Sequence, residues 1–134
     1  MVLTAAAAFL AFVPSVTENI EVGQANWAAY PRLETASISI PDSTMVGNVE
    51  QILRSGECEL EGQRPGRFDI NVNYAVRLDP AGNATRIIVE DVGCRPIELL
   101  VGRIAAQIVA RGHVRTPAPA QPTLYSSRVN FNLS

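Results

Sequence analysis

The chain has 134 residues, of which 47% are hydrophobic and 18% charged, and its formal net charge is −2. This composition is typical of a globular domain and excludes a mainly disordered chain, which would be richer in charge and poorer in apolar residues. All 11 basic residues are arginines spread singly along the chain, which leaves no basic stripe for nucleic acid and no lysine for Schiff-base chemistry.

The first segment, residues 1–17, contains an apolar run over residues 2–13 that only Thr4 interrupts. As a helix this run would cover roughly 18 Å, which is too short for the ~30 Å hydrocarbon core, so an integral membrane protein is not expected. Its length suits the apolar region of a secretory signal, and small residues follow it, although no charged residue precedes it. We therefore expect export to the periplasm or beyond the cell. The alternative is an apolar N-terminal helix packed on the domain.

Residues 18–42 show a mixed pattern and are predicted to form an arm or linker, in which residues 33–40 are a candidate short strand. At the end of this arm, Asp42 and Ser43 offer side-chain oxygens to the free amides of a first helical turn. Four apolar residues then recur at helical spacing: Val46, Val49, Ile52 and Leu53. A helix is expected over residues 44–55, within a folded domain that begins at residue 43.

The chain has two cysteines, Cys58 and Cys94. In an oxidising compartment such a pair predicts a disulfide, which would stabilise the fold by roughly 3–4 kcal/mol. Two buried thiols in a reducing compartment are the alternative, and a metal site would need more ligands than the cysteines and the single histidine, His113, supply. Residues 57–61 alternate acidic with apolar side chains and predict a short strand whose Cys58 and Leu60 face the core.

The clearest strand covers residues 68–78, where apolar side chains alternate with polar or small ones without interruption. A reverse-turn sequence follows, in which Pro80 presets φ and Gly82 is available for a positive φ. Residues 85–92 are rich in β-branched side chains and return as a second strand. A β-hairpin with one face in the core is therefore expected.

A second helix is expected over residues 96–111, because proline is tolerated in a first turn and Gly112 suits a left-handed cap. Its apolar residues repeat at three and four positions and form one stripe. A proline-rich connector over residues 116–122 precedes a terminal strand over residues 125–133. The order β-β-α-β predicts an α+β fold: a small antiparallel sheet with this helix packed on one face, plus the helix that begins near residue 44.

This order and its motifs resemble the C-terminal domain of the TonB family over residues 67–134. The turn from Asp79 to Gly82 is similar to the family's D-x-x-G turn, and residues 87–92 are similar to its V-x-V strand. The terminal residues Val129 to Leu133 are similar to its closing V-x-F-x-L. The resemblance implies this fold, and an extended peptide from an outer-membrane partner bound beside the terminal strand. TonB's membrane anchor and long reach have no counterpart here, so energy transduction is not expected.

Strand addition is the mode of binding expected from the terminal strand, because an edge strand displays unpaired amides and carbonyls. Arg128, Asn130 and Asn132 would flank that edge and are the candidate partner-binding residues. The alternative is an ordinary edge strand that these polar residues protect from pairing.

No catalytic, metal-binding or cofactor-binding residue is predicted. His113 lies just past the second helix without a nucleophile motif nearby, and the adjacent Glu90 and Asp91 would point to opposite faces of a strand. We therefore expect an exported, non-enzymatic interaction module whose partner is an envelope protein or an extended peptide. The alternative is an exported small-molecule binder or minor hydrolase with a cleft between helix and sheet.

Overall fold

The structure is a computed structural model, and it describes residues 20–36, 41–60, 63–64 and 67–133. The signal-like segment predicted over residues 1–17 lies outside these ranges. The described residues form a five-stranded sheet and two α-helices, which confirms the α+β class. The strands are β1 (Ile20–Gly23), β2 (Gln63–Arg64), β3 (Arg67–Leu78), β4 (Ala84–Glu90) and β5 (Thr123–Leu133), and the helices are α1 (Ser43–Arg54) and α2 (Arg95–Ala110).

The central strand of the sheet is β3. It pairs antiparallel with β4 on one side and, from Phe68 to Leu78, with β5 on the other. The short strand β2 pairs with the first two residues of β3. Strand β1 pairs in parallel with the outer side of β4, with Ile20 opposite Ile87. The expectation of a purely antiparallel sheet is therefore wrong, because the arm contributes a parallel strand. This strand has only four residues, which are too few to show a periodicity in the sequence.

The predicted hairpin is present, and its turn is held by one side chain. The Oδ1 of Asp79 accepts hydrogen bonds from the amides of Ala81 at 3.0 Å and Asn83 at 2.9 Å. Gly82 has the positive φ of 84° that the sequence predicts for it. Alternate residues of β3 are buried, including Val72 and Val76, so the period-two pattern does mark the core face of this strand.

Helix α2 covers that core face over β3 and β4. Most of its predicted stripe is buried, whereas Leu100 and Val109 of that stripe are half-buried. The buried members are Ile97, Val101, Ile104, Ala105 and Ile108. Gly112, with φ of 73°, ends the helix, since its amide bonds to the carbonyl of Val109 and the next amide, that of His113, bonds to the carbonyl of Ile108. A Cβ built on Gly102 would lie 2.8 Å from Cγ2 of Ile20, so β1 packs directly on this glycine.

Helix α1 begins one residue earlier than expected, after Asp42, whose Oδ1 accepts from the amide of Met45 at 2.9 Å. It packs against β5 and α2. The loop that follows is tied to the start of α2 by a disulfide between Cys58 and Cys94, which confirms the predicted pair. Closing this 36-residue separation stabilises the fold by roughly 3–4 kcal/mol on chain-entropy grounds.

The strand predicted over residues 57–61 is not formed across residues 57–60, the part that the structure describes. Cys58 is buried and disulfide-bonded there, and the amide of Leu60 donates to Oε1 of Gln63 at 3.1 Å. The alternation of acidic and apolar residues therefore reflects a buried cysteine beside a solvated loop. Pairing begins only at β2.

After β1 the chain crosses the open face of the sheet, the face opposite the helices. A short 3-10 helix, Trp27–Ala29, contacts β3 and β5, and the Oγ of Ser126 donates to the carbonyl of Trp27 at 2.8 Å. Ala75 and Ile88 on this face are buried. Described residues of the predicted arm thus form part of the domain, while residues 37–40 lie outside the described residues.

Candidate functional site

The outer edge of β5 is occupied by the chain itself at one point. The amide of Ser126 donates to the carbonyl of Pro31 at 2.9 Å, and its carbonyl accepts from the amide of Leu33 at 2.8 Å. Both backbone groups of Ser126 therefore point away from β3, and Arg32 forms a parallel bridge with it. This bridge shows that the outer side of β5 has the geometry to accept a parallel strand.

The three residues predicted to flank this edge lie in the same orientation. Register between β3 and β5 is unbroken, and backbone groups in an antiparallel pair alternate between the two sides of a strand. The outward direction at Ser126 therefore recurs at every second residue: Arg128, Asn130 and Asn132. Within the described ranges, no other residue forms a hydrogen bond with the outward amides and carbonyls of these three. We call this stretch the outer edge of β5.

The side chains of the outer edge lie exposed on the open face of the sheet. The Nδ2 of Asn130 donates to Oδ1 of Asp69 at 2.6 Å and to Oδ1 of Asn71 at 3.0 Å, both on β3. Val129 and Phe131, which alternate with the three outer-edge residues along β5, are buried in the core. The strand is thus held by its core side chains and by β3, and among the described residues its outward backbone groups at Arg128, Asn130 and Asn132 have no partner.

A recess of about 350 Å³ opens beside this edge on the helical face. Tyr74, Ile108 and Val129 line it, with Ala36 and Pro41 at its side. Burial raises the pKa of the Tyr74 phenol above its usual range, and a hydrogen bond with Ser127 opposes that rise. The phenol is therefore protonated at neutral pH and has a structural role in the core.

The two adjacent acids, Glu90 and Asp91, are separated as the sequence predicts. Glu90 Oε1 accepts from the amide of Asn73 at 3.0 Å and from its Nδ2 at 3.1 Å, which extends the ladder where β4 ends. Asp91 Oδ1 instead accepts from the amide of Gly93 at 3.0 Å. Each carboxylate satisfies nearby backbone, so they do not converge on a common point.

Sequence reasoning missed Glu98, which is the buried charged residue of the described part of the chain, with 3% exposure. Its Oε2 accepts from the amides of Val92 at 2.9 Å and Cys94 at 3.2 Å. This carboxylate caps α2, because Cys94 at the cap position forms no side-chain cap bond of its own. Glu98 therefore orders the loop that carries one half of the disulfide.

His113 is half-buried, and its backbone joins the helix cap and the arm. Across the residues that the structure describes, no three histidine, cysteine, aspartate or glutamate side chains are close enough together to hold a metal ion. In the same ranges, no helix has both the length and the apolar character to cross a membrane.

A cleft of about 450 Å³ lies between α1 and the end of the sheet. Arg54, Arg64 and Arg67 line it together with apolar side chains. The sequence reasoning predicted such a cleft only as an alternative and named none of these residues. A signal was present, because a Pro-Gly dipeptide at residues 65–66 is a turn motif that would set the flanking arginines opposite each other.

Comparisons with protein-family models, curated proteins and solved structures find no match for this chain. Its function is therefore argued from its own geometry.

Proposed function

We propose that this chain is an exported, non-enzymatic interaction module with a fold like that of the TonB C-terminal domain. It binds an envelope protein or an extended peptide by strand addition to the outer edge of β5. The observation that carries the proposal is the outward orientation of the backbone at Arg128, Asn130 and Asn132. It is the same orientation as at Ser126, which forms an isolated parallel bridge with Arg32.

Two further observations support the proposal. Residues 67–133 form a hairpin, a helix and a terminal strand in that order, an order that supports the proposed likeness. The disulfide between Cys58 and Cys94 supports export, because structural disulfides persist in oxidising compartments and are rare in the cytosol.

The expected affinity of strand addition at this edge is low. Three outward residues offer three donors and three acceptors, and each new hydrogen bond contributes about 0.5–1.5 kcal/mol net. The loss of translational and rotational freedom costs about 4–15 kcal/mol. Backbone pairing alone therefore gives weak binding, and side-chain contacts decide which partner binds. Because the binding is expected to be weak, covalent crosslinking in the cell is a better test than co-purification.

The test is a photo-crosslinking amino acid placed at Asn132 in intact cells at native expression. We expect an adduct from Asn132 and none from Gln107, which is exposed on α2 away from the sheet edge. The adduct is expected in the exported fraction of the cells. Recovery of the uncrosslinked chain alone from Asn132, or of an adduct confined to the cytosol, would contradict the proposal.

A matched pair of variants tests whether the backbone is what binds. Asn130→Pro removes the outward amide, whereas Asn130→Ala keeps it; both lose the same side-chain hydrogen bonds to Asp69 and Asn71. Proline is tolerated on an edge strand where the amide faces outward, so both variants are expected to fold, as circular dichroism will check. We expect the Asn132 adduct to persist with Asn130→Ala and to be lost with Asn130→Pro. Equal yields from the two variants would exclude strand addition.

A further inference from the structure

The exposed surface of α2 carries arginines and no acid. Arg95, Arg103 and the C-cap residue Arg111 are exposed at intervals of eight residues, which places them over about 24 Å of the helix axis. Each lies outside every salt bridge among the described residues. The acid within α2, Glu98, is buried and accepts hydrogen bonds from backbone amides. The charge that α2 presents to solvent is therefore positive throughout.

Helix α1 adds no unpaired acid to this surface. A groove of about 600 Å³ separates the two helices, and two amides and one apolar side chain form its α1 wall: Asn48, Gln51 and Ile52. Glu50 of α1 forms a salt bridge with Arg54 at 2.8 Å, so it is not free to balance the arginines of α2. Glu57 lines the groove from the loop that the disulfide ties to α2. Among the described residues that line the groove, two arginines are thus present with one carboxylate.

Apolar side chains lie between these arginines. Pro96, Leu99 and Leu100 line the groove together with Arg95 and Arg103, and all three are half-buried. Leu99 lies four residues from each arginine, so these three side chains share one face of α2. Leu100 packs against the core of the described chain, whereas Leu99 is not part of that packing. The core therefore gives no reason for a leucine at position 99.

We propose that this face of the helical layer binds a membrane surface that contains anionic phospholipid. The planar fork of a guanidinium matches a lipid phosphate in two charge-assisted hydrogen bonds. Leu99 enters the boundary between headgroups and acyl chains, as apolar side chains of interfacial helices do. Arginines on both sides of an apolar side chain fit this boundary, where phosphate lies next to hydrocarbon. This binding goes beyond strand addition, because it uses side chains of the helices and not the backbone of β5.

Two other occupants fit this face less well. A second copy of the chain offers no free acid from either helix, since Glu50 is in a salt bridge and Glu98 is buried. An extended peptide gains no backbone pairing, because a helix bonds its own amides and carbonyls. A phospholipid surface needs neither a matching sequence nor backbone partners, so it is the occupant that the charge pattern favours.

The first test is sedimentation of the full chain with lipid vesicles. We expect binding to vesicles of phosphatidylglycerol with phosphatidylcholine to exceed binding to phosphatidylcholine alone, and to weaken with added salt. An arginine near an anionic surface contributes about fivefold to the partition coefficient, so Arg95→Gln with Arg103→Gln is expected to lower it about 25-fold. Equal partition into the two kinds of vesicle would overturn the proposal, as would a partition coefficient that this double variant leaves unchanged.

A matched double variant on the other face of the sheet controls for net charge. Arg67 alternates with the buried Phe68 along β3, so Arg67 and its cross-strand partner Arg64 lie on the open face. Arg64→Gln with Arg67→Gln removes the same charge and is expected to change the partition coefficient by less than about twofold. Both double variants retain the apolar residues 2–13, so any binding by that segment is the same in each. Equal losses from the two would assign binding to overall charge and contradict the proposal.

A fluorescence measurement identifies the face that meets the lipid. Trp27 is the single tryptophan of the chain and lies on the open face. Leu99→Trp adds a tryptophan on α2 at a half-buried position, and its Tm is expected to stay close to that of the wild type. We expect brominated phosphatidylglycerol to quench Leu99→Trp more strongly than the wild type. Equal fractional quenching of the two proteins would exclude binding through α2.

Two outcomes would assign this face to a protein instead and overturn the proposal. One is a dimer that Arg95→Gln with Arg103→Gln dissociates, while the wild type fails to bind vesicles. The other is a protein adduct from a photo-crosslinking amino acid at Gln107, which lies one turn after Arg103. Crosslinking from Asn132 depends on neither result, so the failure of membrane binding and the failure of strand addition are distinguishable.

Discussion

Two of the strands at the edges of the sheet, β1 and β5, are attached in different ways. β1 has four residues and is fixed by its side chains: Ile20 packs on Gly102, and Glu21 forms a salt bridge with Arg86 at 2.7 Å. β5 has eleven residues and pairs with β3 over its whole length. A short, charged edge is a usual protection against pairing with another chain, whereas a long edge is a template for it.

This difference shows which edge of the sheet has the length and geometry to pair with another strand. Among the described residues, the arm pairs with the outward backbone of β5 at Ser126. Arg128, Asn130 and Asn132 have no such backbone partner within the same ranges. On the rest of the outer edge, exposed polar side chains are what protects the strand from pairing with other chains. The following predictions test how each edge is held, from the largest expected effect to the smallest.

The largest effect is expected from the inward side of β5. Phe131 is fully buried, so Phe131→Ala should lower the free energy of unfolding by about 3–5 kcal/mol. Its neighbour Asn132 is exposed and points outward, so Asn132→Ala should change it by less than about 0.5 kcal/mol. Denaturant unfolding of both variants measures the contrast. A comparable cost for the two would mean that the side chain of Asn132 is packed within the fold.

A smaller effect is expected where β1 packs on α2, and the same substitution in α1 should change the free energy of unfolding in the opposite direction. A Cβ at Gly102 meets Ile20, so Gly102→Ala should cost about 1–3 kcal/mol of overpacking, less up to about 1 kcal/mol of gained helix propensity. A Cβ at Gly47 of α1 meets nothing within 4 Å, so Gly47→Ala should stabilise by about 0.5–1 kcal/mol.

Hydrogen exchange localises the first of these effects. The amides of β1 are expected to exchange faster in Gly102→Ala, and a second substitution, Ile20→Ala, is expected to remove the clash. Stabilisation by both glycine substitutions would show that β1 does not depend on contact with α2.

The smallest effect concerns the salt bridge on β1. The hydrogen bond from Arg86 lowers the pKa of Glu21, although both side chains are partly exposed. A carboxylate with a lowered pKa stabilises the fold while it is ionised, above its ordinary pKa of about 4.3, and this contribution is lost as the pH falls through the folded-state pKa. We expect less than about 1 kcal/mol.

Unfolding at neutral and acidic pH measures this contribution. The wild type should exceed Glu21→Gln in free energy of unfolding near pH 7, and the difference should shrink as the pH falls below the ordinary pKa of a glutamate. If the difference in free energy of unfolding did not change with pH, it would come from the packing of the Glu21 side chain and not from its charge.

The candidate sites differ in how far sequence predicted them. Alternation placed Arg128, Asn130 and Asn132 on one side of a terminal strand, and the structure agrees on their exposure. Their outward backbone depends on which strand lies beside β5 and in what register, and no local pattern encodes that. The cleft was missed because Arg64 and Arg67 are unremarkable in isolation and become a like-charged pair only across β2 and β3.

The sequence by itself determined the elements whose periodicity is long or whose ends carry proline, glycine or a capping side chain: the β3–β4 hairpin, both helices and the terminal strand. It also indicated the pairing of Cys58 with Cys94, because two cysteines allow one intramolecular bridge. Tertiary structure alone decided the parallel addition of β1, the crossing of the open face by the arm, and the strand β2. The physical reason is that such short segments are stabilised by partners distant in the chain, as Ile20 is by Gly102.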